Sequence, residues 1–490
     1  MRSDLEPDTR AAKQLGVALR RVGYSESSVS DLLDDEAYSG DADDLPVHLR
    51  RLPETKLATV IRALFLGVPV STDDAVRALG RPGVEALKAT ALAEAGEQLI
   101  PLARILPVDN LLIAADGYSR GSHDPEDYVA AYSPTTHVCA SLTPRHRVER
   151  ALDVGTGSGA QAVLAAAHAQ HVVATDVNPR ALAYTQLNAA LNGMTNVEVR
   201  RGSLFEPVTG ESFDLITCNA PYVVSPERRW TYRDAGREGD EVSELVVKEA
   251  AAHLTEDGFA TLLVSWLAPD EDAADDRVLA WTENIGCDSW VLVGWEADAL
   301  EHAAGWNSHL SDDPSAFGEA IDEWTRYLDA LRAGWVTEGA VLLHRRTGRR
   351  HTARSDSFDD DTLEEAGEQI QRAFAARTRL SELGKRADLL DARLSVAAPL
   401  RIERELEPRR GGAAVAGAVV SLAEGTNSAV ETTSGALEVV SSLDRTKPLR
   451  AVVEDVARQL GLSEGETAKL RREAIDLSEE LLELGALRID

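Results

Sequence analysis

The chain has 490 residues, of which 44% are hydrophobic, and a chain of this length is expected to form two or three domains. It carries 82 acidic against 51 basic side chains, and the net charge of −31 argues against an extended nucleic-acid footprint. No apolar run reaches the roughly 18 residues of a membrane span, and the first residues, MRSDLEPDTR, contain no apolar secretory signal. We therefore expect a cytoplasmic protein with no membrane association.

The N-terminal residues show a helical pattern followed by an extended one. Residues 9–23 and 56–67 place apolar side chains at helical spacing, and Ser71 in STDDAVRAL is a typical helix N-cap. The segment 97–116, EQLIPLARILPVDNLLIAAD, is extended in character. Helices followed by a hairpin predict a winged-helix-like domain over residues 1–118. Such folds bind DNA, RNA or proteins, or pack against a neighbour, so this feature alone carries little functional information.

From about residue 148 short β-rich runs alternate with helical segments. The runs that we interpret as strands are ALDVG, HVVATD, VEVRRG, FDLITCN and GFATLLVSWL, followed by DSWVLVGW at 288–295 and EGAVLLHRR at 338–346. This alternation is typical of a mainly parallel sheet with helices on both faces. It predicts an α/β, Rossmann-like domain over residues 119–355.

The polar stretch HTARSDSFDDD at 351–361 marks a second boundary, beyond which residues 356–490 form the C-terminal region. An amphipathic helix is followed there by LRIERELEP and GALEVVSSL, which we interpret as extended. From Lys447 the chain has helices and then a short strand. We therefore expect an α+β region that ends in a winged-helix-like unit.

The ends of the first two central strands have the pattern of a nucleoside pocket. The first strand ends in DVGTGSGAQAV, where Asp153 is followed by Gly155, Gly157 and Gly159, and glycines let a ligand approach the backbone. The second ends at Asp176, where a carboxylate can accept hydrogen bonds from both hydroxyls of a ribose. Any doubly wound fold needs glycine turns and polar strand ends, so each element alone fits a structural role equally well. In this order, together, they indicate a ligand site.

The fourth strand is followed by Asn219, Ala220, Pro221 and Tyr222, in the stretch TCNAPYVVSP. A residue before proline is driven out of the helical region and asparagine favours turns, so these residues fit an ordinary chain reversal. They equally fit a reaction site at the carboxyl edge of the sheet.

The strings DVGTGSGAQAV, ATDVNPRAL and NVEVRRGSLFEPVTGESFDLITCNAPYV resemble the class I S-adenosylmethionine-dependent methyltransferases. They are most similar to the branch with an (N/D)PP(Y/F) motif, which includes release-factor glutamine methyltransferases and small-domain enzymes that modify ribosomal RNA. The resemblance covers residues 148–266. Two positions differ from the family pattern: Ala220 stands where proline is usual, and Ser203 stands where aspartate is usual.

The resemblance implies S-adenosylmethionine as the cofactor and no metal. The residues implied to bind the cofactor are Asp153, Gly155, Thr156, Gly157, Gly159, Asp176, Val177, Ser203, Leu204 and Asn219. The implied catalytic residues are Asn219, Ala220, Pro221 and Tyr222. An amide or exocyclic amino nitrogen is a poor nucleophile because its lone pair is delocalised. Hydrogen bonds to the Asn219 side-chain oxygen and the Ala220 carbonyl would orient that lone pair, while Tyr222 stacks on the planar acceptor.

The leading hypothesis is an N-methyltransferase that acts on a planar amide or amino nitrogen of a protein, as in glutamine, or of a small molecule. The acidic charge favours these acceptors over RNA. Methylation of an exocyclic amine of a ribosomal RNA base is the first alternative. The second alternative, of another class, is a catalytically weak cofactor-binding regulator that contacts DNA or a protein through its winged-helix-like ends.

Overall fold

The structure is a computed structural model that describes residues 7–38, 44–118, 124–219, 221–227, 237–348, 351–358, 363–409 and 412–490. Its contacts divide the chain into two compact units, Met1–Ala140 with His146–Ser355, and Ser141–Arg145 with Asp356–Asp490. The main part of the second unit starts at the residue where we predict the C-terminal region, and a separate boundary near residue 118 stays a prediction. Within the ranges described, no helix combines the length and the hydropathy that a membrane span requires.

The N-terminal part of the first unit has helices followed by short antiparallel strands. The elements are α1 (Thr9–Arg21), α2 (Glu26–Leu33), α3 (Leu45–Arg51), α4 (Lys56–Val60), β1 (Val70–Ser71), α5 (Thr72–Ala89), β2 (Ala93–Ala95), β3 (Gln98–Pro101), β4 (Arg104–Val108) and β5 (Leu111–Ala115). The Ser71 cap is confirmed, because its Oγ accepts the backbone N–H of Asp74 at 3.1 Å. Strands β1, β3 and β2 form one sheet, and β4 pairs with β5 in another. The assignment of this part to the winged-helix class stays a prediction.

The central part of the first unit contains the predicted alternation of strands and helices. The strands are β6 (Val148–Val154), β7 (Ala169–Asp176), β8 (Val197–Arg201), β9 (Phe213–Cys218), β10 (Leu254–Ala268), β11 (Cys287–Asp298), β12 (Trp335–Arg345) and β13 (Ala353–Ser357). The helices are α6 (Pro134–Leu142), α7 (Ala160–Ala166), α8 (Pro179–Leu191), α9 (Glu241–His253), α10 (Asp276–Trp281), α11 (Ala299–Trp306) and α12 (Pro314–Ala330).

The described strands of the central sheet lie in the order β8-β7-β6-β9-β10-β12-β11-β13. Strands β8, β7, β6, β9 and β10 pair in parallel, whereas β12 is antiparallel to both β10 and β11. The prediction of a mainly parallel, Rossmann-like sheet is confirmed. The chain runs outward in opposite directions from β6 and β9, and a crevice opens at the carboxyl ends of the strands on either side of such a reversal.

Burial explains the apolar runs that identify these strands in the sequence. Leu152, Val154, Ile216 and Leu262 are each at most 1% exposed and belong to one core cluster with residues of α9 and α10. A sheet covered in this way needs apolar side chains at almost every strand position, and polar residues are left to the strand ends. The functional side chains therefore collect at the edge of the sheet.

The second unit is mixed. Its elements are α13 (Ala366–Glu382), β14 (Leu394–Val396), β15 (Leu400–Arg409), β16 (Gly412–Leu422), β17 (Ala429–Thr432), α14 (Ser434–Ser441), α15 (Leu449–Leu460), α16 (Glu464–Glu483) and β18 (Leu487–Ile489). Strands β15, β16 and β17 form one sheet, and β14 pairs with β18. The α+β composition and the terminal order of helices and strand agree with the prediction, while the winged-helix assignment stays untested.

One predicted element of this unit is wrong. GALEVVSSL was interpreted as extended, but it forms most of α14. Oγ1 of Thr433 caps this helix by accepting the N–H of Ala436 at 3.3 Å. Leu437 and Val440 are each 1% exposed, so helix packing outweighs the β-propensity of the paired valines.

Candidate active site

The turn between β6 and α7 contains three glycines in the left-handed region of φ. The φ angle is 66° at Gly155, 55° at Gly157 and 81° at Gly159, values that residues with a Cβ adopt only at a cost. A Cβ added at Gly157 would meet no atom within 4 Å, whereas one at Gly159 would lie 2.7 Å from Oγ1 of Thr185 on α8. Gly157 therefore leaves space in front of the turn, and Gly159 allows α7 to approach α8.

Asp153 holds this turn from within the sheet. Its Oδ2 accepts hydrogen bonds from Oγ1 of Thr156 at 2.6 Å and from the backbone N–H of Ala162 at 3.1 Å. Its Oδ1 accepts a hydrogen bond from Oγ1 of Thr217 on β9 at 3.0 Å. Burial raises the pKa of Asp153 to about 6, although the hydrogen bonds act in the opposite direction. The carboxylate thus joins two neighbouring strands to the glycine turn and to the start of α7.

Asp176, at the end of β7, contacts the same turn from the next strand. Its Oδ2 accepts the N–H of Gly157 at 3.0 Å, and its Oδ1 accepts the N–H of Asn178 at 2.8 Å. Burial raises the pKa of this carboxyl as well. Each carboxylate oxygen has a second lone pair, so Asp176 can accept ribose hydroxyls while it holds the turn. The neighbouring Val177 has an apolar side chain that is 47% exposed, which is a suitable surface for a purine ring.

The chain after β8 forms a third side of the site. The N–H of Gly202 donates to the carbonyl of Asp176 at 3.1 Å, and Oγ1 of Thr175 donates to the carbonyl of Leu204 at 3.0 Å. These bonds fix Leu204 at a positive φ of 47°. Ser203 is exposed at the rim of the site.

The residues after β9 form the fourth side. Asn219 is partly buried, and Ala220 lies outside the described residues, so the structure gives no account of its carbonyl. Tyr222 is held at two points: its backbone carbonyl accepts a hydrogen bond from Oγ of Ser265, and its phenol shares a hydrogen bond with Thr135. Burial, reinforced by the carboxylate of Glu338, raises the pKa of Tyr222 well above its usual range. Its hydroxyl is therefore neutral at physiological pH.

These strand ends surround a cavity of about 480 Å³, which is the size of a small-molecule site. The sequence-derived site residues that line it are Asp153, Gly155, Thr156, Gly157, Asp176, Val177, Ser203, Leu204, Asn219, Pro221 and Tyr222. Gly159 does not line the cavity, because it lies at the junction of α7 and α8. The candidate cofactor and acceptor residues thus meet in one place, and their binding roles stay predictions.

Other lining residues belong to no motif in the sequence. Tyr128, Val129 and Thr135 precede β6, and Trp306 is the last residue of α11. Of the first group, Thr135 lies in the stretch SPTT at 133–136 before the first strand of the core, whereas Tyr128 and Val129 have no sequence signal. Trp306 is separated from Tyr222 along the chain by the two strands β10 and β11, and it has no local signal in the sequence.

A buried ion pair fixes the segment that contributes Val129. Arg180 on α8 pairs with Asp116, and their side chains are 10% and 7% exposed. Asp116 also accepts the hydroxyl of Tyr184 at 2.9 Å and the backbone N–H of Val129 at 2.8 Å. The pair therefore sets the position of one wall of the cavity.

Residues 133–273 match the family model of the methyltransferase small domain. This part of the chain is a methyltransferase small domain. The match includes the glycine turn, Asp176 and Asn219, which supports the interpretation of the cavity as the site of S-adenosylmethionine. The predicted resemblance to this family is confirmed over these residues, and the predicted cofactor with it. The matched region is followed by β11, α11, α12 and β12. Part of the lining of the cavity, such as Trp306 on α11, therefore lies outside the family model.

The methyltransferase domain is similar to curated glutamine methyltransferases. A release factor glutamine methyltransferase of Deinococcus radiodurans is 36% identical over 34% of this chain and 63% of that protein. A ribosomal protein uL3 glutamine methyltransferase of Bradyrhizobium diazoefficiens is 38% identical over 23% of this chain and 39% of that protein. The chain thus spans less than two thirds of the length of these relatives. A solved methyltransferase from Pyrococcus furiosus aligns with a TM-score of 0.27 and 18% identity over 44% of this chain and 83% of that one.

Proposed function

We propose that the chain is a cytoplasmic S-adenosylmethionine-dependent N-methyltransferase whose acceptor is the side-chain amide of a glutamine in a protein. The observation that carries this proposal is the position of Asn219, which lines the same cavity as the glycine turn and Asp176. A group that can hold an amide and a set of groups that can hold a nucleoside therefore share one enclosed space. Proximity of this kind removes much of the entropic barrier to reaction.

The cofactor half of the site is assigned to the ends of β6, β7 and β8. The open backbone at Gly157 lets a ligand approach the turn, and Asp176 accepts hydrogen bonds from the ribose hydroxyls. Val177 and Leu204 cover the adenine ring, and Ser203 at the rim contacts its edge. When bound, S-adenosylmethionine supplies a methyl group activated by a sulfonium, and no metal is needed for that chemistry.

The acceptor half is assigned to the residues after β9. The Asn219 side-chain oxygen accepts one N–H of the acceptor amide, which turns the nitrogen lone pair toward the methyl group. The Ala220 carbonyl accepts the second N–H in this proposal. The ring of Tyr222 stacks on the planar amide. The bond from Ser265 to its carbonyl holds the backbone, and the bond between its phenol and Thr135 orients the ring before the acceptor binds. The acceptor nitrogen releases one proton, which leaves to solvent.

Two observations favour a protein acceptor. The curated relatives are named for glutamine methylation of release factors and of ribosomal protein uL3. The net charge of −31 also repels a polyanion such as ribosomal RNA over most of the surface.

Transfer of label tests this proposal. The full chain is incubated with methyl-labelled S-adenosylmethionine and, separately, a purified release factor, ribosomal protein uL3 and total ribosomes. We expect label in a protein that survives ribonuclease treatment. The Asn219→Ala variant should transfer label about a hundredfold more slowly, while calorimetry should show that it still binds the cofactor. Label that ribonuclease removes, or a wild-type chain that binds the cofactor and labels no protein, would overturn the proposal.

A further inference from the structure

Trp306 and Glu338 form a pair beside the acceptor half of the cavity. Trp306 lines the cavity, and its Nε1 donates a hydrogen bond to Oε1 of Glu338 on β12 at 3.1 Å. The carboxylate of Glu338 is also close enough to the phenol of Tyr222, which lines the same cavity, to help raise the pKa of that phenol. One carboxylate therefore lies beside two aromatic residues of the wall.

Glu338 is an unusual residue for its position. It lies in the middle of β12, opposite Ser265 on β10 and Trp295 on β11, where a charge is costly to bury. Burial raises its pKa to about 7, and the hydrogen bond from Trp306 opposes that rise. In the part of the chain that the structure describes, Glu338 has no ion-pair partner. Its charge at alkaline pH is therefore uncompensated next to the cavity.

The pair lies outside the part of the domain that the relatives share. The family match ends at residue 273, whereas Trp306 ends α11 and Glu338 is on β12. The sequence after the matched region thus supplies a wall of its own, and substrate choice is a common role for such additions.

We propose that Trp306 and Glu338 select the acceptor side chain, and this inference rests on the proposed function. The indole of Trp306 contacts the aliphatic stem of the acceptor side chain, and Glu338 fixes the indole and makes this end of the cavity negative. A neutral amide that presents N–H groups is then bound, while a carboxylate of the same shape is repelled. Glu338 acts as a positioning and specificity residue and takes no part in methyl transfer.

Binding of two matched small ligands tests the inference. N-acetylglutamine methylamide and N-acetylglutamate methylamide have nearly the same shape and differ in charge. Their dissociation constants are measured by ligand-detected NMR at pH 8 with the full chain saturated with S-adenosylhomocysteine. We expect the wild type to bind the amide about tenfold or more tightly than the carboxylate, which corresponds to one close like-charge contact.

Three variants separate the roles. Glu338→Gln keeps the shape and a hydrogen-bond acceptor for Trp306 but removes the charge, so the preference should fall to within about threefold. Trp306→Ala should weaken both ligands by a similar factor, about tenfold, because it removes an apolar contact surface that both share. Glu296→Gln is the matched control: Glu296 accepts Nε1 of Trp335 at 3.2 Å in an exposed pair, and its loss should leave both affinities unchanged.

The preference ratio distinguishes this role from a purely structural one, because a variant that only loosens the fold weakens both ligands together. The wild-type preference should also decrease below about pH 7, where Glu338 becomes protonated, and Tyr222, the titratable group that faces it, stays neutral throughout. An equal preference in Glu338→Gln and wild type, or no binding of the amide by wild type, overturns the inference. If the wild type labels a protein nitrogen other than glutamine, the proposed function itself fails.

Discussion

The carboxylate of Asp176 accepts a hydrogen bond from the backbone N–H of Gly157 at 3.0 Å, which ties the end of β7 to the glycine turn after β6. The residue assigned to the ribose hydroxyls therefore also holds the turn against which the cofactor lies. Removing this carboxylate should affect two contacts of the cofactor at once.

We expect Asp176→Ala to weaken binding of S-adenosylmethionine by roughly 1–3 kcal/mol, because buried donors lose their acceptor. Calorimetric titration measures this change. The matched control is Asp214→Ala, since Asp214 also accepts two backbone N–H groups, those of Glu149 and Arg150, but next to the first residues of β6. Unchanged affinity in Asp176→Ala, or an equal loss in the control, would contradict the assignment.

Two glycine variants should separate binding from folding. Gly157→Ala places a methyl group in open space, so we expect a loss of stability of about 1–2 kcal/mol from its positive φ and a clear loss of cofactor affinity. Gly159→Ala adds a contact of 2.7 Å with Oγ1 of Thr185, and its stability should fall by roughly 3 kcal/mol or more. Urea unfolding and calorimetry on both variants measure the two effects. Equal stability of the two variants is the result that this account does not allow.

Asn219→Ala tests the acceptor half of the site. We expect cofactor affinity and melting temperature close to wild type, with turnover lower by about a hundredfold or more, the scale seen when one preorganised polar group is removed. Asn196→Ala serves as the control, because Asn196 donates to the carbonyls of Ala166 and Ala169 at 3.0 and 2.9 Å and is not a lining residue. Full turnover in Asn219→Ala would show that Asn219 has no part in catalysis and that the stretch after β9 is only a chain reversal.

The pKa of Asp153 predicts a pH dependence of stability. Burial raises this pKa from 3.8 to about 6, so the native state holds the proton more tightly than the unfolded chain does. The resulting stabilisation is complete below about pH 4 and is lost as the pH rises through about 6, with an upper limit of about 3 kcal/mol. In Asp153→Asn this titration is absent. The free energy of unfolding of wild type relative to this variant should therefore decrease between pH 4.5 and 6.5 in urea titrations, and a constant difference would contradict the assignment.

The parts of the site that are visible in the sequence are those made by consecutive residues. Asp153 and its glycines, and Asp176 after the second strand, are recognisable because a parallel sheet brings all its carboxyl strand ends to one edge. Asn219 and Tyr222 are found in the same way. Most of the cofactor half of the site can therefore be predicted from short stretches of consecutive residues.

The remaining wall depends on contacts between distant elements. Val129 reaches the cavity through the buried pair of Asp116 and Arg180, and Trp306 lines it from the end of α11, where it donates a hydrogen bond to Glu338 of β12. Neither arrangement produces a pattern among neighbouring residues of the sequence. The helix α14 was misassigned for the opposite reason: its valines have a strong local preference for strands, and tertiary packing overrides it.

The most direct test of methyl transfer to a protein amide uses S-adenosylmethionine with a deuterated methyl group. The acceptor protein is digested after incubation with the full chain, and fragmentation mass spectrometry locates the deuterated methyl group. We expect one modified glutamine, with the methyl group on the side-chain nitrogen, formed by wild type and about a hundredfold more slowly by Asn219→Ala. A methyl group on a carboxylate oxygen or an RNA base, or no modified glutamine from a wild-type chain that binds the cofactor, would contradict it.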